Sequence, residues 1–167
     1  KMVQKETISS RFEEDRTKFY EFHQILEELF PQVHATCEKH VFNGSLLYKW
    51  NGKSSEKPIL LMSHQDVVEA GGEWEHEPFS GYNDGEFIWG RGAMDMKNHL
   101  IAVMECMEEL INEGFRPKRT VYICLGHNEE VVAAPDNGAK QIAAYLKEQG
   151  VHLEAVLDEG GAILPVK

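Results

Sequence analysis

Three apolar runs in this chain each lead directly into side chains that can bind a metal ion or carry a proton. Residues 58–62 are followed by His64 and Asp66, residues 120–125 by Glu129 and Glu130, and residues 155–157 by Asp158 and Glu159. A fourth acid, Asp95, closes the turn Gly90-Arg-Gly92-Ala-Met-Asp95 just ahead of a helical pattern. One imidazole and several carboxylates gathered at one place raise each other's pKa values by mutual repulsion, and a divalent cation resolves the conflict. Imidazole and carboxylate donors without a thiolate suit zinc, and also cobalt or manganese. Asp66, two residues beyond His64, can take the other ring N–H and fix the tautomer that binds metal. Taken singly these signals are weak, since a pair of acids is commonly a solvated face. Their repetition at three run ends carries the reading.

The runs themselves have the continuous apolar character of strands covered on both faces. Between them lie helical patterns. Residues 11–30 place Phe12, Phe19, Phe22, Ile25, Leu26, Leu29 and Phe30 at helical spacing behind Ser9 or Ser10 as a cap, and Pro31 stops that helix. Residues 33–48 read as two short strands about an Asn43-Gly44 turn. Residues 70–92, rich in Gly, Pro and aromatics, make a long ordered loop with one short strand at 87–89. A helix over 96–110 carries the stripe Leu100, Ile101, Met104, Met107, Leu110 and Ile111 and closes at Gly114; another over 137–149 turns Ala139, Ile142, Ala143 and Leu146 to one side. This alternation predicts an α/β fold, a three-layer α/β/α domain with a mostly parallel sheet. In such sheets ligands gather beyond the carboxyl ends of the strands, where the four candidate groups fall.

At 167 residues the chain can bury one good core. A net charge of -11 argues against nucleic acid or an anionic membrane as partner, because either would need a cationic face. The three cysteines, Cys37, Cys106 and Cys124, are odd in number and lack C-x-x-C spacing, so neither a disulfide framework nor a cysteine zinc site is implied; Cys106 and Cys124 read as core residues. No apolar run reaches membrane-spanning length and residues 1–10 are too polar for a signal peptide, which favours a cytoplasmic protein.

The stretches Leu61-Met-Ser-His64-Gln-Asp66-Val-Val68, Gly90-Arg-Gly-Ala-Met-Asp95-Met-Lys97 and Gly126-His-Asn-Glu129-Glu130-Val131 resemble a metallopeptidase family. That family includes aminoacylase-1, the Gly-X carboxypeptidases, bacterial glutamate carboxypeptidase, acetylornithine deacetylase and succinyl-diaminopimelate desuccinylase. With Trp74-Glu-His-Glu-Pro78-Phe79 and Leu157-Asp-Glu-Gly-Gly161 the resemblance runs from about Pro58 to Gly161, its motifs in family order. The resemblance implies the zinc-exopeptidase fold and two Zn2+ ions. His64 and Glu159 would bind one, Glu130 the other, and Asp95 would bridge them, with Asp158 the rival to Glu159. Asp66 would orient His64. Glu129 would be the general base that takes a proton from a zinc-bound water and passes it to the leaving amine. The substrate would be a small peptide or N-acyl amino acid cleaved next to a free carboxylate, and His76 and His127 would lie outside the ligand set.

Four departures qualify this picture. Asn128 stands where the family usually has Asp, and Val132-Ala133-Ala134-Pro135 replaces a pair of glycines. The family also takes a last His ligand from far downstream and inserts a smaller domain that supplies dimer contacts, and residues 1–167 contain neither, His152 being a poor substitute. The chain is therefore expected to be an N-terminal portion of a catalytic domain, inactive by itself, from an enzyme that forms a homodimer through a domain missing here. Two other readings stay open: a catalytically inactive metal-binding relative, and a nucleotide-binding α/β module using Gly90-Arg-Gly92, which leaves His64, Glu129 and Glu130 unexplained.

Overall fold

A computed structural model describes residues 1–160. Gly161, the end of the last motif, lies outside the described residues. The elements run α1 (Thr17–Leu29), α2 (Pro31–Thr36), β1 (Glu38–Phe42), β2 (Ser45–Trp50), β3 (Ser54–His64), β4 (Tyr82–Asn83), β5 (Ile88–Trp89), α3 (Lys97–Asn112), β6 (Arg119–Gly126), α4 (Gly138–Glu148) and β7 (Ala155–Leu157). Five strands form one sheet in the order β1-β2-β6-β3-β7, and β4 and β5 make a separate ribbon. The three strands that lead to the candidate residues, β6, β3 and β7, are parallel, while the β1–β2 hairpin joins β6 antiparallel.

The period of two along the strands sorts the core into two halves. Leu46, Tyr48 and Trp50 of β2 and Val121, Ile123 and Leu125 of β6 pack on Phe22, Leu26, Leu100 and Met104 of α1 and α3. The alternate residues Leu47, Tyr122 and Cys124, with Leu60, pack on Ile142 and Leu146 of α4. The result is the expected three layers, helices on both faces of a sheet.

The structure departs from the sequence reading at several places. The first helix begins at Thr17, where the Asp15 carboxylate accepts from the Thr17 amide and hydroxyl; Phe12 stays 78% exposed and Ser9 is used elsewhere. Pro31 does more than end α1. It opens α2 at the first position, where a missing N–H costs nothing, and so residues 33–36 are helical rather than strand. The Glu108 carboxylate accepts from the Gln32 and Val33 amides, both at 2.9 Å, and ties α2 to α3. The aromatic loop has two short strands, not one, with the His76 ring 4.3 Å from Tyr82 and 5.0 Å from Trp89. Cys124 is buried but Cys106 is exposed, because it falls on the outer side of α3. β7, expected to be covered on both faces, is the sheet edge among the described residues, and its three residues are exposed. No helix among the described residues is long and apolar enough to cross a membrane.

Candidate metal centre

Parallel pairing sets the register on which the site depends. His64, the last residue of β3, lies opposite Gly126 at the end of β6, while Leu61 lies opposite Leu157 of β7, so the residues just beyond all three strands emerge together. His64 is 2% exposed and its two ring nitrogens face different surroundings. Nδ1 sits 3.0 Å from the Asp66 carbonyl oxygen and 3.4 Å from the Asp66 carboxylate. Nε2 lies 3.1 Å from Asp95 Oδ1, 3.5 Å from Glu159 Oε2 and 3.8 Å from Glu129 Oε2. Two sets of potential donor atoms come together within 4.8 Å: His64 with Asp95 and Glu130, and His64 with Glu129 and Glu159. Asp158 belongs to neither set, its carboxylate accepting instead from the Glu159 amide. A cavity of about 200 Å3 opens beside the cluster, bounded by His64, Glu129, Val132 and Asp158.

Asp66 sits beneath all of this, fully buried. Its Oδ1 accepts from the Glu129 amide and its Oδ2 from the Glu130 amide, both at 3.1 Å, and Oδ2 also accepts from the Ser9 hydroxyl at 2.6 Å. One carboxylate thus holds the backbone of both glutamates as well as the His64 ring. The His-x-Asp spacing points to the last contact only; the others join residues some sixty positions apart.

The electrostatics follow from that packing. Burial alone would lower the His64 pKa, but the hydrogen bonds and charge of Asp66 and the charge of Glu129 outweigh it and raise the value to about 9. Burial would raise Asp66, yet its bonds to His64 and Ser9 hold it below the ordinary carboxylate value. Glu129 and Glu130 are both raised, first by burial and then by neighbouring acids. The cluster therefore favours a positive charge at its centre. With an acceptor at Nδ1 the ring keeps its proton there, and a divalent cation taking the place of the Nε2 proton would meet one imidazole nitrogen and three carboxylates, a donor set that fits it.

His127 and His76 stand apart from the cluster. His127 is 1% exposed; its Nδ1 lies 2.6 Å from the Ser45 hydroxyl, and its Nε2, 3.7 Å from Asp136, has no hydrogen-bond partner among the described residues. Asp136 pairs with Arg16, and Asn128 accepts from the Gly138 amide at 3.0 Å, securing the start of α4. His152 precedes β7, at the end of that strand remote from the cluster. Ser9 and Lys97 are the residues near the site that no spacing rule singles out; the burial of Lys97, which lowers its pKa to about 8, became visible only with the fold.

Fold and site together define an α/β domain that presents metal-type donors at the carboxyl ends of parallel strands. The chain belongs to peptidase family M20/M25/M40, whose sequence model matches residues 60–164. It is 41% identical over 161 residues to a probable carboxypeptidase S-like 2 of Dictyostelium discoideum, covering 93% of this chain and 31% of that protein. It is 40% identical over 168 residues to the N-fatty-acyl-amino acid synthase/hydrolase PM20D1 of Mus musculus, covering 97% and 33%. The fold matches the crystal structure of an M20 family metallo-carboxypeptidase, Sso-CP2 from Sulfolobus solfataricus, with a TM-score of 0.72 at 20% identity, over 97% of this chain and 36% of that one. The chain thus spans about a third of the length of the curated relatives it matches. Membership of the family implies use of a divalent metal, and the donor set is of the right kind.

Proposed function

We propose that this chain carries the metal centre and proton-transferring base of a hydrolase that cleaves a peptide or N-acyl amide bond next to a free carboxylate. The observation that carries this reading is the convergence of Asp95, Glu129 and Glu159 on His64 Nε2, within 3.1 to 3.8 Å. His64, Asp95, Glu130 and Glu159 would hold two zinc ions, with cobalt or manganese as substitutes and Asp95 shared between the two. When bound, the metal supplies Lewis acidity that makes water a competent nucleophile near neutral pH and polarises the amide carbonyl.

The side chains do the rest. Glu129 is anchored through its own amide to Asp66, which fixes the backbone from which its carboxylate reaches the cavity. Its pKa lies above the ordinary glutamate value, closer to the range in which a carboxylate both accepts and returns a proton. It takes a proton as water adds to the carbonyl and delivers that proton to the amine as the C–N bond breaks, leaving a carboxylate and a free amine. The likeness to a carboxypeptidase S-like protein and to an N-fatty-acyl-amino acid hydrolase supports both substrate types. Coverage of about a third of each relative supports reading residues 1–167 as one portion of a larger protein, and the contacts of a homodimer would then lie in other segments.

The test is hydrolysis of dipeptides and N-acyl amino acids by the full protein with zinc, cobalt or manganese added or stripped. Turnover should require metal. Glu129→Gln should lose roughly 10²- to 10⁴-fold in kcat, the usual worth of a general base, with metal content unchanged. Full turnover by that variant would remove Glu129 from the role.

A further inference from the structure

Residues 2–9 supply none of the donors grouped in the cluster, yet they touch the loop that follows His64 and the turn that carries Asp95. Lys97, two positions after Asp95, is completely buried, and its ammonium donates to the carbonyls of Met2 at 3.1 Å and Lys5 at 2.8 Å. The Phe22 ring lies 5.1 Å away on another side. A buried ammonium is costly unless hydrogen-bonded, so these carbonyls and Lys97 hold each other in place. The turn that ends at Asp95 leans on the same segment at Gly90, where an added Cβ would come within 2.6 Å of Val3 Cγ1, and on the loop after His64 at Gly92, where one would come within 2.5 Å of Val67 Cγ1.

The segment then runs beside the loop that follows His64. The Thr7 hydroxyl donates to the Gln65 carbonyl at 2.6 Å, the Val67 amide to the Thr7 carbonyl at 3.1 Å, and the Ser9 amide to the Val67 carbonyl at 3.2 Å. Its last contact is the Ser9 hydroxyl on Asp66 Oδ2. An ionised carboxylate offers about four acceptor positions. At Asp66 the Glu129 and Glu130 amides and the Ser9 hydroxyl take three of them, and His64 Nδ1, bonded to the Asp66 carbonyl, lies 3.4 Å from Oδ1.

We propose that Ser9 and Lys97 are positioning residues of the metal centre: Lys97 clamps residues 2–9 against the Asp95 turn, and Ser9 supplies the donor that completes the set on Asp66. Without the Ser9 hydroxyl, Oδ2 keeps one donor in a site closed to water, and the carboxylate is free to turn away from the geometry that orients His64 and both glutamate amides. The proposal rests on the reading of His64, Asp95, Glu130 and Glu159 as metal donors.

The experiment is cobalt and zinc binding to the full protein, read by competition with a chelator and by the visible absorption of bound Co2+, beside thermal unfolding of the metal-free form. Ser9→Ala should weaken binding by up to about 10-fold, the lower end of the cost of losing a direct partner of a ligand, because Ser9 acts through Asp66, and should alter the Co2+ spectrum. Ser9→Thr, which keeps the hydroxyl, should restore both. Lys97→Met should weaken Co2+ binding in the same direction and speed amide exchange at Val67 and Ser9; should it not fold, the Ser9 pair decides the matter. Wild-type affinity and spectrum in Ser9→Ala, with or without a lower Tm, would overturn the proposal. His64→Ala separates the two levels: if the wild type itself binds no metal, or His64→Ala binds as well as it does, the metal-centre reading fails instead.

Discussion

His64 and His127 stand at the ends of neighbouring parallel strands, both almost wholly buried, and they have opposite electrostatic characters. Around His127 burial dominates, with the Arg16 charge acting in the same direction; the ring bonds to the neutral hydroxyl of Ser45, and its pKa is lowered. Around His64 the carboxylates outweigh burial, and the pKa rises to about 9. Burial by itself makes a neutral, structural imidazole. It takes several acids delivered by separate strands to turn a buried histidine into a place for a cation.

The sharpest way to break this contrast is to remove each ring in turn. His64→Ala should weaken metal binding by more than the ~10- to 100-fold of an outer-partner loss and abolish turnover, whereas His127→Ala should keep its metal and lose only stability. Equal metal loss in both, by elemental analysis, would collapse the distinction. A comparable pair tests the acids: Asp95→Ala should release both ions and Asp136→Ala neither, and an Asp95→Ala protein still holding two ions would rule out its bridging role.

A milder probe is the pH dependence of stability without metal. The folded pKa of His64 lies above its unfolded value near 6.5, so its contribution is fully present below about 6.5 and is lost as pH rises through about 9. His23, lowered by burial to about 4, and His127, also lowered, act in the opposite sense: their contributions are present above about 6.5 and are lost as pH falls, for His23 through about 4. Denaturant titrations across pH should therefore show losses on both sides, and saturating metal should erase only the alkaline one, since metal binds the neutral ring. An alkaline loss unaffected by metal would mean that His64 does not face the ion. The smallest effect is expected from Ser45→Ala, about 1–3 kcal/mol of stability for a buried partner removed, with metal content as in the wild type.

Much of the fold was readable in the chain because the signals are local. Continuous apolar runs marked β3 and β6, and helical stripes marked α3 and α4, with Asn137 capping the latter by accepting from the Lys140 amide. The misreadings were also local ones. Apolar spacing extended α1 back to residue 11 because it cannot see that Asp15 takes the Thr17 amide, and it made a core residue of Cys106 because it cannot say how wide the buried face of α3 is. Apolar composition marked β7 as covered, whereas coverage depends on what lies beside a strand.

The sequence by itself determined which donors exist and that all but Asp95 stand at the ends of strands, because residue type and short-range periodicity need no knowledge of the rest of the chain. Only the tertiary structure decided which of them meet. Parallel register set His64 beside Gly126 and brought Glu129, Glu130 and Glu159 to the same edge; the segment carrying Ser9 reached Asp66 across 57 positions; and one buried histidine was left among acids while its neighbour was paired with a serine. Those outcomes depend on long-range packing and on the balance between desolvation and charge, which no spacing along the chain contains.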